Sequence, residues 1–345
     1  MVDVFVKFGV LCAVSGSDPS FSSGSLHDLL RRLKRAEEQG FESVWLTSGN
    51  LWKDESGYPL PLVAAHFAVQ SQRVRIGLAL PLTSRLHPLR LAEEIAALDV
   101  MTGGRLDWSA VYPGGEAEHE SFLSEEDFRE QLGIVKGAWT ADRFDWQGEA
   151  YAFSDIGCFP RPLQDPHPPT WLMTESPSLL SWAAAENHAV MVGPWSPLSD
   201  IEAQRRVLSE SPASAGGGLV QAIRYVYVGK SVAGARDEAG PGLLRAYRER
   251  LLGPPAGFAA QAGGLPTPVD ESPRFHESSD RLLEFLFENT VVVGDEVYCR
   301  DKVAEIRERL GVDSFLCCQD GLGLGSEALR VSQARWIDEV APAFA

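Results

Sequence analysis

The stretch VRIGLALPLTSRLHPLRLAEEIAALDVMTGGR, Val74–Arg105, reads as a strand, an irregular turn, a helix and a glycine stop. Val74–Leu80 is a short apolar run with β-branched residues, and Pro81, Ser84 and Arg85 follow it without periodicity. His87-Pro88 then opens a helix in which Leu89, Ala92, Ile95, Ala96 and Leu98 share one apolar face. Gly103-Gly104 end it, since glycine adopts the left-handed backbone of a helix C-terminus at little cost. Another apolar run, Leu106–Val111, follows at once. A buried strand that leads through a turn and a helix into the next buried strand is a unit of a parallel sheet.

The same rhythm extends in both directions. Further strands are expected at Val4–Val10, Ser43–Leu46, Thr170–Met173, Ala189–Val192, Gln221–Val228 and Ser314–Gln319. Helices are expected at Leu26–Gln39, Pro61–Gln70, Leu179–Glu186, Ile201–Leu208, Ala233–Leu251, Val297–Leu310 and Glu327–Val340, with an amphipathic segment starting near Glu125. That supplies about eight strands, the number a closed barrel needs. The fold class is therefore α/β, a (β/α)8 TIM barrel with loop insertions on the C-terminal face, and residues 1–345 read as one domain because no linker divides them. Two segments break the rhythm: the acidic Tyr112–Glu126 and the Gly-, Pro-, Ala- and Ser-rich Gly253–Ser279. Both are expected over the face where barrels place their sites.

Composition narrows the partners. Against 31 basic residues stand 48 acidic ones, a net charge of −17 that repels nucleic acids and anionic membranes and suits a small-molecule substrate. Cys12, Cys158, Cys299, Cys317 and Cys318 show neither paired nor His-flanked metal spacing, so a reduced, cytoplasmic chain without a metal site is expected. Met1–Val14 is apolar but interrupted by Asp3 and Lys7, and it reads as a first strand rather than a signal peptide. No run has the length of a membrane span.

Several motifs, in this order and spacing, resemble the bacterial luciferase family of flavin-dependent monooxygenases, most closely its luciferase alpha-type branch. They are Ala36–Trp45 (AEEQGFESVW), HPLRLAEE and LDVMTGGR within the opening stretch, Phe128-Arg129, Phe159–Leu163 (FPRPL), Thr174–Trp182 (TESPSLLSW), Val291–Gly294 (VVVG) and Gly311–Phe344, which closes on ARWIDEVAPAF. The resemblance implies the TIM barrel, reduced FMN (FMNH2) as cofactor, O2 as co-substrate, a separate flavin reductase as partner and a mobile lid at 253–279. Its reaction is oxygenation of a small apolar organic substrate, such as an aldehyde, ketone, amine or biosynthetic intermediate, through a flavin C4a-peroxide.

Candidate cofactor residues follow from both lines. Glu175, Ser176 and Ser178 lie between a strand and a helix, where backbone N–H groups and hydroxyls face an anion at a helix N-terminus. The family's phosphate site maps onto the same positions, although the Glu175 carboxylate would oppose a phosphate, so that its main chain is what matters. Arg129 matches the family's phosphate-binding arginine; it could equally pair with Glu125, Glu126 or Glu130. Ala79-Leu80 matches the place of a non-prolyl cis peptide beside the flavin ring, or is an ordinary strand end. Along Leu106–Val111, either Asp107, Ser109 and Val111 or Trp108, Ala110 and Tyr112 face the barrel interior. Small Ser109 and Ala110 leave room for the ring, while Trp52, Tyr58, Trp108 and Tyr112 would wall an apolar pocket.

The chain departs from the family where luciferase alpha chains carry their catalytic histidine, reactive cysteine and following arginine. Gly49, Val111 and Tyr112 stand there instead. Light emission by the alpha-chain mechanism is not expected. Other bases are available: Asn50 with a bound water, His66 on the helix PLVAAHF, or His119 among Glu116, Glu118 and Glu120. His66 read as a core residue and His119 as a solvated surface group are the plainer alternatives, and His87 reads as structural. Besides the monooxygenase, an F420-dependent oxidoreductase of the same superfamily and a non-catalytic flavin-binding subunit resembling the luciferase beta chain remain open. The Ala- and Leu-rich helices Leu62–Gln70 and His87–Leu98 suit the family's dimer contact, in a homodimer or a heterodimer.

Overall fold

The computed structural model describes residues 6–14, 23–48, 59–112, 123–209, 220–251, 279–312 and 314–345. The first half runs β1 (Lys7–Val14), α1 (Ser23–Gln39), β2 (Ser43–Ser48), α2 (Leu60–Ala68), β3 (Arg75–Pro81), α3 (Pro88–Thr102), β4 (Leu106–Val111), α4 (Glu125–Thr140), β5 (Phe144–Gln147) and β6 (Ala152–Ile156). The second half runs β7 (Thr170–Met173), α5 (Pro177–Ala185), β8 (Ala189–Val192), α6 (Leu198–Ser209), β9 (Val220–Val228), α7 (Val232–Leu251), α8 (Ser279–Asn289), β10 (Val292–Gly294), α9 (Glu296–Leu310), β11 (Ser314–Cys318) and α10 (Ser326–Arg335). A π turn, Trp336–Val340, and a short 3-10 turn, Ala341–Phe344, follow α10.

β1, β2, β3, β4, β7, β8, β9 and β11 pair in that order, all parallel, and β11 returns to β1 to close the barrel. These are the eight strands expected from the sequence. Elements the sequence did not reveal are the β5–β6 hairpin, the three-residue β10 against the end of β9, and α8. The hairpin alternates half-buried and exposed residues and lies outside the barrel, so its apolar signal is weak. Glu130 of α4 holds it by accepting from Trp146 Nε1 (3.1 Å) and from the backbone N–H of Ala150 (3.1 Å) and Tyr151 (3.0 Å).

Glycine ends α3 as expected. Gly103 has φ 67° and its N–H returns to the carbonyls of Asp99 and Val100. His87 precedes the helix and packs its ring edge-on to Tyr151 and tilted against Phe153, which is the structural part foreseen for it.

Strand parity decides what faces the interior. Leu106, Trp108 and Ala110 join the core between strands and helices, so Asp107, Ser109 and Val111 point inward. Of the two faces left open for it, Trp108 takes the helical one and does not wall the pocket: its ring meets Trp139 edge-on and its Nε1 donates to Thr170 Oγ1 at 2.8 Å. Ala110 likewise faces the helices, and only Ser109 of the small pair lies inside. Leu11, Trp45, Met191, Ile223, Leu316 and Cys318 fill the barrel, with Trp171, Met173 and Tyr225 packed on them. Gly77 is what admits Trp45, because a Cβ there would stand 2.0 Å from the indole ring. Lower in the barrel, Arg75 clamps Asp107 with two bonds of 2.8 Å.

The expected lid, Gly253–Ser279, lies outside the described residues except for Ser279, which begins α8. Asn50 and His119 also lie outside them, as do Gly49, Trp52 and Tyr58.

Candidate active site

The C-terminal ends of the barrel strands meet at a mouth with a charged edge and an apolar wall. The charged edge is built by two helix starts. Ser124 caps α4 by accepting from the Asp127 N–H at 3.0 Å, which places Glu125 at the first position and Arg129 one turn below. Ser176 caps α5: its Oγ accepts from the Leu179 N–H at 3.3 Å, and its own N–H donates to Thr174 Oγ1 at 3.0 Å. Across the gap Arg129 Nη2 donates to Ser178 Oγ at 2.7 Å, and the guanidinium lies over the Trp182 ring at 5.7 Å.

An anion already sits in this cradle. The Glu125 carboxylate accepts from Ser176 Oγ and stands 3.5 Å from Arg129 Nη2. Arg129 thus pairs with Glu125 and reaches Ser178 at the same time, while its Nε is buried without a partner. Tyr112 leans on the same group. Burial first, then the charges of Glu125 and Glu126, raises its phenol pKa, and its ring packs edge-on to Phe128.

The barrel wall carries donors with nothing to bond. Ser109 Oγ, Trp45 Nε1 and Trp171 Nε1 are buried and unpartnered. Buried polar groups are nearly always satisfied, and these three share the inner surface of the barrel, where a polar-edged ligand could supply their partners. Ala79 and Val111 are buried on the inward face, at the ends of β3 and β4. Leu80 is not: its side chain packs in the helix-facing core, so only its main chain can meet a ligand. The Ala79-Leu80 peptide is trans; among the described residues the cis bonds are Phe159-Pro160 and Asp165-Pro166.

On the far side, Arg224 of β9 is wholly buried and donates to the carbonyls of Gly193 (2.9 Å), Ser196 (3.2 Å) and Ile223 (2.7 Å). Burial pulls its guanidinium down to about 9. Those bonds fix the loop that lays Trp195 on Tyr225 (4.5 Å between ring centres) and against Tyr247 (5.4 Å). The Glu175 carboxylate lies beside Gly193.

Of the sequence candidates, Arg129, Ser176 and Ser178 come together directly, and Ala79, Ser109 and Val111 line the interior. His66 is not brought to the mouth. It is exposed near the C-terminal end of α2, and a helix returning from a barrel strand ends at the opposite face, so it is withdrawn as a candidate base. Sequence reasoning missed Trp171 and Arg224 and saw Glu125 only as an ion-pair partner of Arg129. Parity would have placed Trp171 inside once Thr170–Met173 was a strand; no pattern announces Arg224.

A phosphate-bearing flavin fits this donor set: a guanidinium with two hydroxyls at a helix N-terminus, next to an apolar wall with three idle donors. Residues 6–314 match the model of the luciferase-like monooxygenases. The chain belongs to the luciferase-like monooxygenase family. Among its relatives is the oxygenase component of a flavin-dependent trigonelline monooxygenase of Acinetobacter baylyi, 26% identical over 186 residues, covering 52% of this chain and 51% of that one. Another is an F420-dependent glucose-6-phosphate dehydrogenase of Amycolatopsis mediterranei, 29% identical over 155 residues, covering 40% and 45%. The chain spans about half the length of these curated relatives. The barrel superposes on monooxygenase RslO1 from Streptomyces bottropensis with a TM-score of 0.79 at 23% identity, over 99% of this chain and 100% of that one, a likeness of fold.

Proposed function

We propose that this luciferase-like protein is an FMNH2- and O2-dependent monooxygenase of a small apolar organic substrate, an aldehyde, ketone, amine or biosynthetic intermediate, and that a separate reductase supplies its reduced flavin. The observation that carries the reading is the convergence of Arg129, Ser176 and Ser178 at the start of α5, beside a wall with unpartnered donors. The flavin-dependent relative, named as an oxygenase component, supports both the cofactor and the reductase.

Bound FMN supplies the oxygen-activating chemistry. The protein's part is to hold and to shield. Arg129 and the two serines bind the phosphate, and the Leu179 end of α5 turns its positive pole toward it. Ala79, Ser109 and Val111 present small side chains to the ring, and Ser109 Oγ offers its edge a hydrogen bond. Trp195, Tyr225 and Tyr247 keep water from the far side. With Val111 at the family's cysteine position and Gly49 at its histidine position, proton transfer falls to Asn50 with a water or to His119.

The F420-dependent relative sustains a second reading, hydride transfer through a deazaflavin. Competition decides: FMN and F420 are titrated against each other by fluorescence, and oxygen uptake with FMNH2 is compared with F420 reduction by alcohols or sugar phosphates. Tighter FMN binding with substrate-dependent oxygen uptake supports the monooxygenase; the converse supports the dehydrogenase. FMN binding without oxygen turnover would leave a non-catalytic subunit.

Five buried free thiols support a reducing, cytoplasmic setting. No helix among the described residues is long and apolar enough to cross a membrane. For the homodimer, exposed Leu62 on α2, Val69 just past its end, and Val100 and Met101 at the end of α3 offer apolar side chains on two adjacent helices.

A further inference from the structure

We infer that Glu125 is a built-in competitor for the cofactor phosphate, holding the cradle shut to anions and keeping the flavin exchangeable; this rests on the flavin reading above. The Glu125 carboxylate takes the Ser176 hydroxyl and faces the Arg129 guanidinium, the same two groups that would hold the phosphate. With Glu125 in place the cradle has one positive and one negative group and no net attraction for an anion. A phosphomonoester brings up to two negative charges at neutral pH, so it enters only when the carboxylate leaves. The exit is open. Glu125 is the first residue of α4, its side chain is 26% exposed, and Ser124 caps the helix without it. Turning into water costs the carboxylate its two partners but leaves the α4 backbone unchanged.

Phosphate binding therefore yields only the difference between two anions on one site. A flavin with a phosphate and one without should bind this protein with similar affinity. Such loose retention suits a cofactor that arrives reduced and must leave oxidised.

The test is the E125Q variant, which keeps an acceptor for Ser176 and removes the charge. FMN and riboflavin binding are measured by quenching of flavin fluorescence in the wild-type protein, in E125Q and in E126Q, a charge control at the exposed neighbour. Thermal melts with and without inorganic phosphate accompany them. The expected result is FMN binding about tenfold tighter in E125Q, with riboflavin unchanged and E126Q like wild type. An unchanged ratio of FMN to riboflavin affinity in E125Q, or weaker FMN binding, overturns the inference. Should neither flavin bind either protein, the melts decide. Stabilisation of E125Q alone by phosphate keeps Glu125 as occupant of an anion site and rejects the FMN reading, whereas no phosphate response in either rejects the inference as well. E125A serves in the same way if E125Q does not fold.

Discussion

Arg129 stands between two anions, the Glu125 carboxylate that holds it and the phosphate proposed for it. A charge-assisted hydrogen bond contributes about 1.5–3 kcal/mol, and that sum reaches the phosphate in full only once Glu125 no longer competes for Arg129. In the Glu125→Gln background Arg129→Ala should therefore weaken FMN binding about 10- to 100-fold while leaving riboflavin within about twofold, as isothermal titration would read. Equal losses for both flavins would place Arg129 in the fold rather than in the cradle. The cradle's positive members were legible in the sequence, because a Ser-Pro-Ser step between strand and helix and an arginine at the family position point to the same anion. Glu125 was legible only as a salt-bridge partner of Arg129. Its second bond, to Ser176, depends on how two helix starts approach each other, and no spacing encodes that. Arg224 was invisible for a similar reason: its partners are backbone carbonyls of a distant loop.

At the scale of elements, a barrel strand must present one face to the helices and the other to the interior. Strand β4 is buried on both, so its sequence lacks the alternation that would assign them, and the choice between Trp108 and Ser109 stayed open until β4 was paired. Strands β7 and β8 match their expected bounds because Pro169 and Thr174, and His188 and Gly193, bracket short runs. The β5–β6 hairpin escaped because it is an outer cover with no buried face of its own. Inside the barrel, β2 and β3 depend on one residue: Gly77 leaves the space that Trp45 occupies. Gly77→Ala is expected to cost about 1–3 kcal/mol by overpacking and to shift tryptophan emission as Trp45 moves. Unchanged stability and emission would mean that β2 yields instead. Flavin binding should weaken with it, since Trp45 Nε1 is one of the idle donors.

At the scale of the whole molecule, the opposite face of the barrel carries the most strongly depressed carboxyl among the described residues, Glu37. Glu37 of α1 accepts from the N–H groups of Gln72 (2.9 Å), Arg73 (2.9 Å) and Val74 (3.3 Å) and from Lys34 Nζ (2.7 Å), tying α1 to the start of β3. Burial alone would raise its pKa; Lys34 and the backbone donors outweigh burial and bring it from 4.5 down to about 2. A depressed carboxyl pKa stabilises the fold above the unfolded-state value and loses that contribution as pH falls through the folded value. Stability should drop by up to about 3 kcal/mol between pH 4.5 and about 2 on account of this group. Glu37→Gln should be less stable at pH 7 and flatter across that window in urea unfolding; a slope equal to that of wild type would remove Glu37 from the account. Association is the other molecular property at stake. Val69→Glu places a charge at the exposed C-terminal end of α2 and should convert a dimer to monomers in sedimentation, with the fold intact by circular dichroism. A wild-type monomer, or a variant that still dimerises, would move the contact elsewhere.

This barrel is expected to bind reduced FMN and to direct its reaction with oxygen. The measurement is an anaerobic titration with photoreduced FMN, followed by admission of air while absorbance is recorded. Saturation at one flavin per chain, with reoxidation slower than that of free FMNH2 and consumption of an apolar aldehyde or ketone, is the predicted result. Failure to bind reduced FMN, or reoxidation indistinguishable from that of free flavin, would contradict it.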